Sequence, residues 1–186
     1  GSIKWQKSAI KRGGGATQWT GNSAIDNQGR VFVLADSGNI LYALSQQDGS
    51  VLWSKSNFWS DYNLFYSEGV LYASYGNTIK ALNPSDGTQI WSHTGSFNAY
   101  GQPKLITKDG LMLVYYNTNP LVAINLSDGT KAWEYEPQST YKNGADAYIH
   151  DVVIGDDGVI YLETNNKIRR DVAMTGEITL RGRVLP

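Results

Sequence analysis

The segment Asp-Gly-(Ser/Thr)-x-x-Trp occurs three times in this chain, each time shortly after an Ala-Leu or Ala-Ile pair. Ala43-Leu44 precedes Asp48-Gly49-Ser50 and Trp53; Ala81-Leu82 precedes Asp86-Gly87-Thr88 and Trp91; Ala123-Ile124 precedes Asp128-Gly129-Thr130 and Trp133. Recurrence at this spacing means that one small supersecondary unit has been copied, and that neighbouring copies must bury one another's apolar faces. Asp-Gly between two apolar runs marks a hairpin, because glycine reaches positive φ at no steric cost.

A second glycine series runs in phase with the first. Gly29, Gly69, Gly110 and Gly158 each precede an apolar pair (Val31-Phe32, Leu71-Tyr72, Met112-Leu113, Ile160-Tyr161), and they stand 20, 18, 19 and 18 residues before Gly49, Gly87, Gly129 and, weakly, Gly176. Constant spacing within a unit and variable spacing between units describes a rigid module on free connections. Each unit reads as four short strands, A to D: A ends near Ile25, Phe65, Ile106 or Ile154, B follows the glycine, C carries the alanine and D carries the tryptophan. Short strands with regular turn signals, and no helical period, give an all-β chain. Four-stranded units of this length predict a β-propeller of four four-stranded blades in a single domain over 1–186, with blades at about 22–56, 62–94, 101–136 and 147–182. The alanine lets sheets approach, and Trp53, Trp91 and Trp133 are expected to wedge between blades. Trp5, in the N-terminal strand predicted over 3–8, is expected to do the same.

Composition narrows the partners. A net charge of −1 gives no electrostatic basis for binding nucleic acid. No segment approaches the roughly 20 apolar residues of a membrane-spanning helix. With no cysteine, disulfides, thiolate metal sites and cysteine nucleophiles are excluded.

The residues Gly69-Val70-Leu71-Tyr72-Ala73, Leu41-Tyr42-Ala43-Leu44 and the (Ser/Thr)-x-x-Trp ending resemble the repeat of the PQQ-like, quinoprotein-type propellers, over about residues 22 to 180. The resemblance implies the propeller fold. It leaves activity open, because the repeat serves dehydrogenases, assembly lipoproteins and binding proteins. The fourth unit departs from the pattern, with Arg170-Asp171 in place of Ala-Leu and Leu180 in place of the tryptophan. Three readings accommodate this departure. The N-terminal strand closes the ring by supplying the missing outer strand; the chain is part of a longer propeller; or two chains of four blades share one ring as a homodimer.

Strand alternation puts the A–B and C–D turns on one face and the B–C and D–A loops on the other. From tryptophan to next glycine, the spans that hold the D–A connections run 24, 16, 19 and 25 residues, and variable loops on a repeated scaffold are where recognition concentrates. Those connections carry Trp19, Phe58, Trp59, Tyr62, Phe97, Tyr100, Tyr141 and Tyr148 among Asn, Gln, Ser and Gly, a mixture suited to binding a protein or a glycan. The rival expectation is that these rings pack the loops onto the blades. Asn22, Asp61, Gln102, His150 and Asp151, with Tyr62, fall where the innermost strands begin and are expected at a channel mouth, holding water or the polar end of a ligand.

Catalytic signals fail. His93 and His150 are the only histidines, no Gly-x-Ser-x-Gly accompanies them, and no histidine or cysteine pair has zinc spacing. Asp26-Asn27-Gln28-Gly29 and Asp156-Asp157-Gly158 lack the distal glutamate of a calcium loop and read as turns. Gly13-Gly14-Gly15 lacks the Lys-Ser/Thr of a phosphate loop. The lysines and arginines at the two ends read as solvated charge, and Asn125-Leu126-Ser127 is a formal glycosylation sequon placed in a turn. The expectation is therefore a non-catalytic, extracytoplasmic binding or scaffold propeller without catalytic residues, bound metal or cofactor. The alternative implied by the resemblance is a quinone-dependent dehydrogenase or a piece of one.

Overall fold

The computed structural model describes residues 1–7, 19–35, 39–58, 63–95, 104–108, 110–115, 120–135, 149–155, 158–164 and 167–173. Every regular element among them is a strand, as the turn-punctuated sequence requires. The chain divides into two compact units, Gly1–Gly95 and Ser96–Pro186.

The first unit holds two antiparallel four-stranded meanders. One is β1 (Trp19–Ile25), β2 (Arg30–Ala35), β3 (Ile40–Ser45) and β4 (Val51–Lys55); the other is β5 (Asn63–Ser67), β6 (Val70–Tyr75), β7 (Thr78–Leu82) and β8 (Gln89–Thr94). The second unit holds β9 (Lys104–Lys108), β10 (Leu111–Tyr115), β11 (Leu121–Asn125) and β12 (Lys131–Tyr135), then β13 (Ile149–Ile154), β14 (Val159–Thr164) and β15 (Lys167–Ala173). The four sheets coincide with the four predicted repeats. The outer strand expected in the fourth lies outside the described residues.

The registers show what the repeated residues do. Phe32 pairs with Ala43 and Ala43 with Trp53; Tyr72, Ala81 and Trp91 make the same row, as do Leu113, Ala123 and Trp133. Each row sets a large residue, a small one and an indole side by side on one face, so the rings lean across the alanine. Phe32 and Trp53 have ring centroids 5.8 Å apart, and Tyr72 and Trp91 likewise 5.8 Å. In the fourth sheet Tyr161 pairs with Arg170, so arginine stands in the alanine's place.

Immediately after the alanine, the register shifts in all three full sheets, between Ala43/Leu44, Ala81/Leu82 and Ala123/Ile124. The shift is a β-bulge. It turns Leu52 and Ile90 outward, 51% and 52% exposed, although each sits beside a buried or half-buried tryptophan. The preceding turns are alike: the Gly49, Gly87 and Gly129 amides donate to Ser45, Asn83 and Asn125 carbonyls at 2.8, 2.8 and 2.9 Å. The carboxylates of Asp48, Asp86 and Asp128 each accept both the amide and the hydroxyl of the Ser or Thr two residues on.

Glycine at positions 49 and 87 answers two demands. Their φ values are +70° and +71°, and a Cβ would lie 2.7 Å from the indole of Trp5 and of Trp53, respectively. Trp53 donates Nε1–H to the Pro84 carbonyl at 3.0 Å and Trp5 donates to Gln46 at 2.8 Å. Trp5 thus docks on the first sheet as Trp53 docks on the second. Residues 3–7 form no strand, in contrast to the strand predicted over 3–8; side-chain contacts to the turn, including Lys7 Nζ to the Gly49 carbonyl at 2.8 Å, hold the segment instead.

Alternation supplies the cores. Phe32, Leu34, Leu41 and Ala43 of the first sheet bury against Leu64, Leu71, Ala73 and Leu82 of the second. Leu113, Tyr115, Leu121, Ala123 and Trp133 of the third bury against Ile149, Val152, Ile160 and Leu162 of the fourth.

Candidate binding face

In an antiparallel meander the B–C and D–A loops leave the same edge of the sheet. Two asparagines fix where the D–A connections start. Asn39, held at φ 53°, offers its carbonyl to the Phe58 amide at 2.7 Å, and Asn77 offers its own to the Gly95 amide at 2.9 Å. Asparagine tolerates this left-handed conformation better than most residues. The exit of each outer strand is thereby tied back to the adjacent B–C turn. The connections that carry Trp59 and Tyr62, or Phe97 and Tyr100, depart from equivalent fixed points.

Phe58 changes role. Predicted as a ring on the binding face, it is 5% exposed and belongs to the core between the first two sheets. Lys80 Nζ stands 5.0 Å from its ring centroid, on the side of β7 that faces the first sheet. The ring closes the top of the apolar seam, and the ammonium gains a cation–π contact where a lysine enters it.

Trp19 also differs from expectation. It opens β1 opposite Ala35 and so lies in a strand, not a connection. The strand starts three residues early because Trp and Thr favour extended backbone, and the shift between Thr20 and Ala24 absorbs Gly21, Asn22 and Ser23. His150 sits at a similar irregularity in β13, between Ile149 and Asp151. Trp59, Asp61, Tyr62, Phe97, Tyr100, Gln102, Tyr141 and Tyr148 lie outside the described residues.

Of the residues expected at a channel mouth, Asp151 is the one whose side-chain contact is defined. Exposed on β13, it accepts a 2.9 Å hydrogen bond from the phenol of Tyr115, which is buried at the end of β10. Burial first, then the nearby Asp151 carboxylate, hold the Tyr115 phenol above the ordinary tyrosine range. It therefore remains a donor at all physiological pH values. The pair clamps the third sheet to the fourth beside the loops. Tyr115 carried a signal the sequence reading passed over: a phenol ending an otherwise aliphatic strand.

At the opposite edge, Asp26 is buried and accepts the amides of Gln28 and Arg30, both at 2.9 Å, as well as the Arg30 guanidinium. Burial alone would raise its pKa; the Arg30 amide and guanidinium and the Gln28 amide outweigh burial and hold it below the ordinary value. Arg30 also reaches Ser85 Oγ at 3.1 Å, and Tyr66 donates to Asn27 at 3.3 Å. A polar latch therefore joins the first two sheets beneath their apolar seam. At the sequon, Asn125 Nδ2 donates to Thr130 Oγ1 at 2.9 Å, so this amide is engaged in its turn.

Among the described residues no three His, Cys, Asp or Glu side chains are grouped to hold a metal ion, and no helix is long and apolar enough to cross a membrane. What the edge with the Asn anchors offers is a rigid rim with variable loops.

Comparison with known proteins fits this architecture. No curated protein matches the sequence. BamB from Moraxella catarrhalis superposes with TM-score 0.59 at 18% identity, covering 87% of this chain and 52% of that one, so the chain spans about half its length. The β-propeller domain of Myceliophteria thermophila Cps50 (Swd1) gives TM-score 0.64 at 12% identity, covering 91% and 55%. Quinohemoprotein alcohol dehydrogenase ADHIIG from Pseudomonas putida HK5 gives 0.61 at 12% identity, covering 87% and 33%. At these identities the structures establish the propeller fold and nothing finer. A family model described as outer membrane protein assembly factor BamB matches residues 1–177. The chain belongs to this family of PQQ-like β-propellers.

Proposed function

We propose that this chain is a non-catalytic propeller scaffold that binds a protein partner through its D–A loop face, on the extracytoplasmic side of the cell and in the service of outer-membrane protein assembly. The family match over residues 1–177 carries the reading. The Asn39 and Asn77 anchors support it, because loops that leave a rigid rim at fixed points lose little entropy on binding. Exposed Tyr75, which ends β6 at this edge, adds an aromatic contact. A glycan is the second class of ligand that aromatic, amide-rich loops accommodate.

The test is site-specific photo-crosslinking in the native host, with the probe at Trp59 and a control probe at Leu52 on the outer strand. An outer-membrane assembly component captured at Trp59 and absent at Leu52 supports the reading. Capture at Leu52 alone, or at neither position, refutes it.

The likeness to a quinohemoprotein dehydrogenase keeps a second reading open. The quinone would supply the redox chemistry and calcium its electrophilic support. The described residues contain no three-carboxylate or histidine group for that calcium. Adding the quinone with calcium and measuring Tm separates the readings, because a ligand of the native state raises it by mass action.

A further inference from the structure

Asp-Gly is the dipeptide at which a protein backbone most readily rearranges. Glycine has no side chain to hinder approach, so its amide nitrogen can attack the aspartate Cγ. A Cγ–N bond forms and a Cγ–O bond breaks; the amide proton and the carboxyl proton leave with that oxygen as water. The succinimide then takes up water at either carbonyl, giving back aspartate or giving isoaspartate, whose main chain is one carbon longer. Each C–D turn of the three full sheets carries this dipeptide, at Asp48-Gly49, Asp86-Gly87 and Asp128-Gly129. At Gly49 and Gly87 an extra backbone carbon would displace the positive-φ glycines on which Trp5 and Trp53 rest. The indole sockets are thus built on reactive peptide bonds.

The turns engage both reacting groups elsewhere. The amides of Gly49, Gly87 and Gly129 donate their protons to the Ser45, Asn83 and Asn125 carbonyls at 2.8, 2.8 and 2.9 Å. Each carboxylate is bound to the residue beyond the glycine, a local pattern open to aspartate. Asp48 Oδ1 accepts the Ser50 amide at 3.0 Å and its hydroxyl at 2.8 Å. Asp86 accepts the same pair from Thr88 at 2.9 and 2.7 Å, and Asp128 from Thr130 at 2.9 and 2.7 Å. Almost any residue supplies the amide; only serine and threonine add the hydroxyl at this distance. The amide bond first, then the hydroxyl bond, hold all three carboxyls below the ordinary aspartate value. They stay ionised, and a carboxylate gives up oxygen far less readily than a carboxylic acid. Ser50, Thr88 and Thr130 are exposed, so packing does not explain their hydroxyls.

We propose that the Asp-Gly bonds of these turns are sites of isoaspartate formation and that the Ser50, Thr88 and Thr130 hydroxyls protect them, by holding each carboxylate on the residue past the glycine. The hydroxyl is therefore a chemical safeguard of the joint, in addition to a turn contact. It acts within a single turn and needs no other part of the chain.

The test is long incubation at neutral pH of the wild type and of Ser50→Ala, Thr88→Val, Thr130→Val and Ser50→Thr, each folded and in urea, with isoaspartate at every turn quantified by peptide mapping. Valine keeps the shape of threonine and removes the hydroxyl alone. The substituted side chains are exposed, so the variants keep the fold, and the three turns test the claim independently. When folded, each variant without the hydroxyl should form isoaspartate about three- to tenfold faster at its own turn, the scale set by losing one exposed hydrogen bond. The other turns should hold the wild-type rate, and Ser50→Thr should match wild type throughout. In urea, where the turns are gone, all five proteins should age alike. A folded variant that ages no faster than wild type overturns the proposal. An excess that persists in urea also overturns it, because it would belong to the sequence and not to the turn.

Discussion

Adding one methyl group at Gly87 tests the docking of each indole on the next turn. At φ +71° an alanine costs about 1–2 kcal/mol in backbone strain. Its Cβ would also lie 2.7 Å from Trp53 Cζ3 and 2.9 Å from Lys55 Cγ. The lysine stem can swing away. The indole cannot do so freely, because Nε1–H donates to the Pro84 carbonyl at 3.0 Å and the ring packs tilted against Phe32, centroids 5.8 Å apart. Displacing it adds an overpacking cost of about 1–3 kcal/mol, for roughly 2–5 kcal/mol in total. Trp53→Ala alone should cost about 3 kcal/mol, the low end for a large core truncation, because the ring is partly exposed. In the double variant the obstruction is gone, so Gly87→Ala retains only its backbone strain. The two changes should therefore couple by about 1–3 kcal/mol. Urea unfolding followed by far-UV circular dichroism on the four proteins measures it, since that signal does not depend on the deleted fluorophore. If Gly87→Ala costs the same with and without Trp53, to within about 0.5 kcal/mol, the indole does not cover the glycine.

Further outcomes follow from the same geometry. Phe58→Ala should lose about 3 kcal/mol in chemical denaturation, as a buried ring does; a loss under about 1 kcal/mol would return Phe58 to the surface. Asp151→Ala should destabilise more than Tyr115→Phe, because it strips a buried hydroxyl of an acceptor while Tyr115→Phe removes the hydroxyl itself; equal or reversed losses in paired urea titrations count against the clamp. Asp26 has a native pKa below its ordinary 3.8, so the unfolded chain binds more protons as pH falls and the carboxylate's contribution, complete above about pH 5, disappears on acidification through the native value. Asp26→Asn should flatten the acid limb of the stability profile, and an unchanged limb in pH-dependent thermal melts would show that the latch contributes nothing.

The parts of this fold legible in the sequence are those with no chemical substitute. Gly49 and Gly87 combine positive φ with an overlying indole, and only glycine meets both conditions, so the turns and the units between them could be read directly. Ala43, Ala81 and Ala123 were legible for a related reason: each lies between a large apolar or aromatic residue and an indole in a cross-strand row. The bulges at Leu52 and Ile90 were not, because a bulge depends on hydrogen-bond register and leaves no composition of its own. Phe58 was misassigned because an aromatic residue after an outer strand looks the same whether it caps a seam or faces a ligand. Asn39 and Asn77 act through their carbonyls, which every residue possesses. Tyr115 and Asp151 are 36 positions apart, and only the strand order brings them together.

Each joint described here splits its two halves between consecutive repeats: the plug is a tryptophan in one, the socket a glycine turn in the next. Trp5 into Gly49 and Trp53 into Gly87 are interchangeable fittings. Gene duplication can therefore add a copy to such an array without inventing a new connector, since in both joints the plug precedes a sheet in the chain and the socket is the turn that leads into that sheet's outer strand. Lineages are then free to vary ring size and rim sequence independently, which is how one inherited coupling can serve many unrelated tasks.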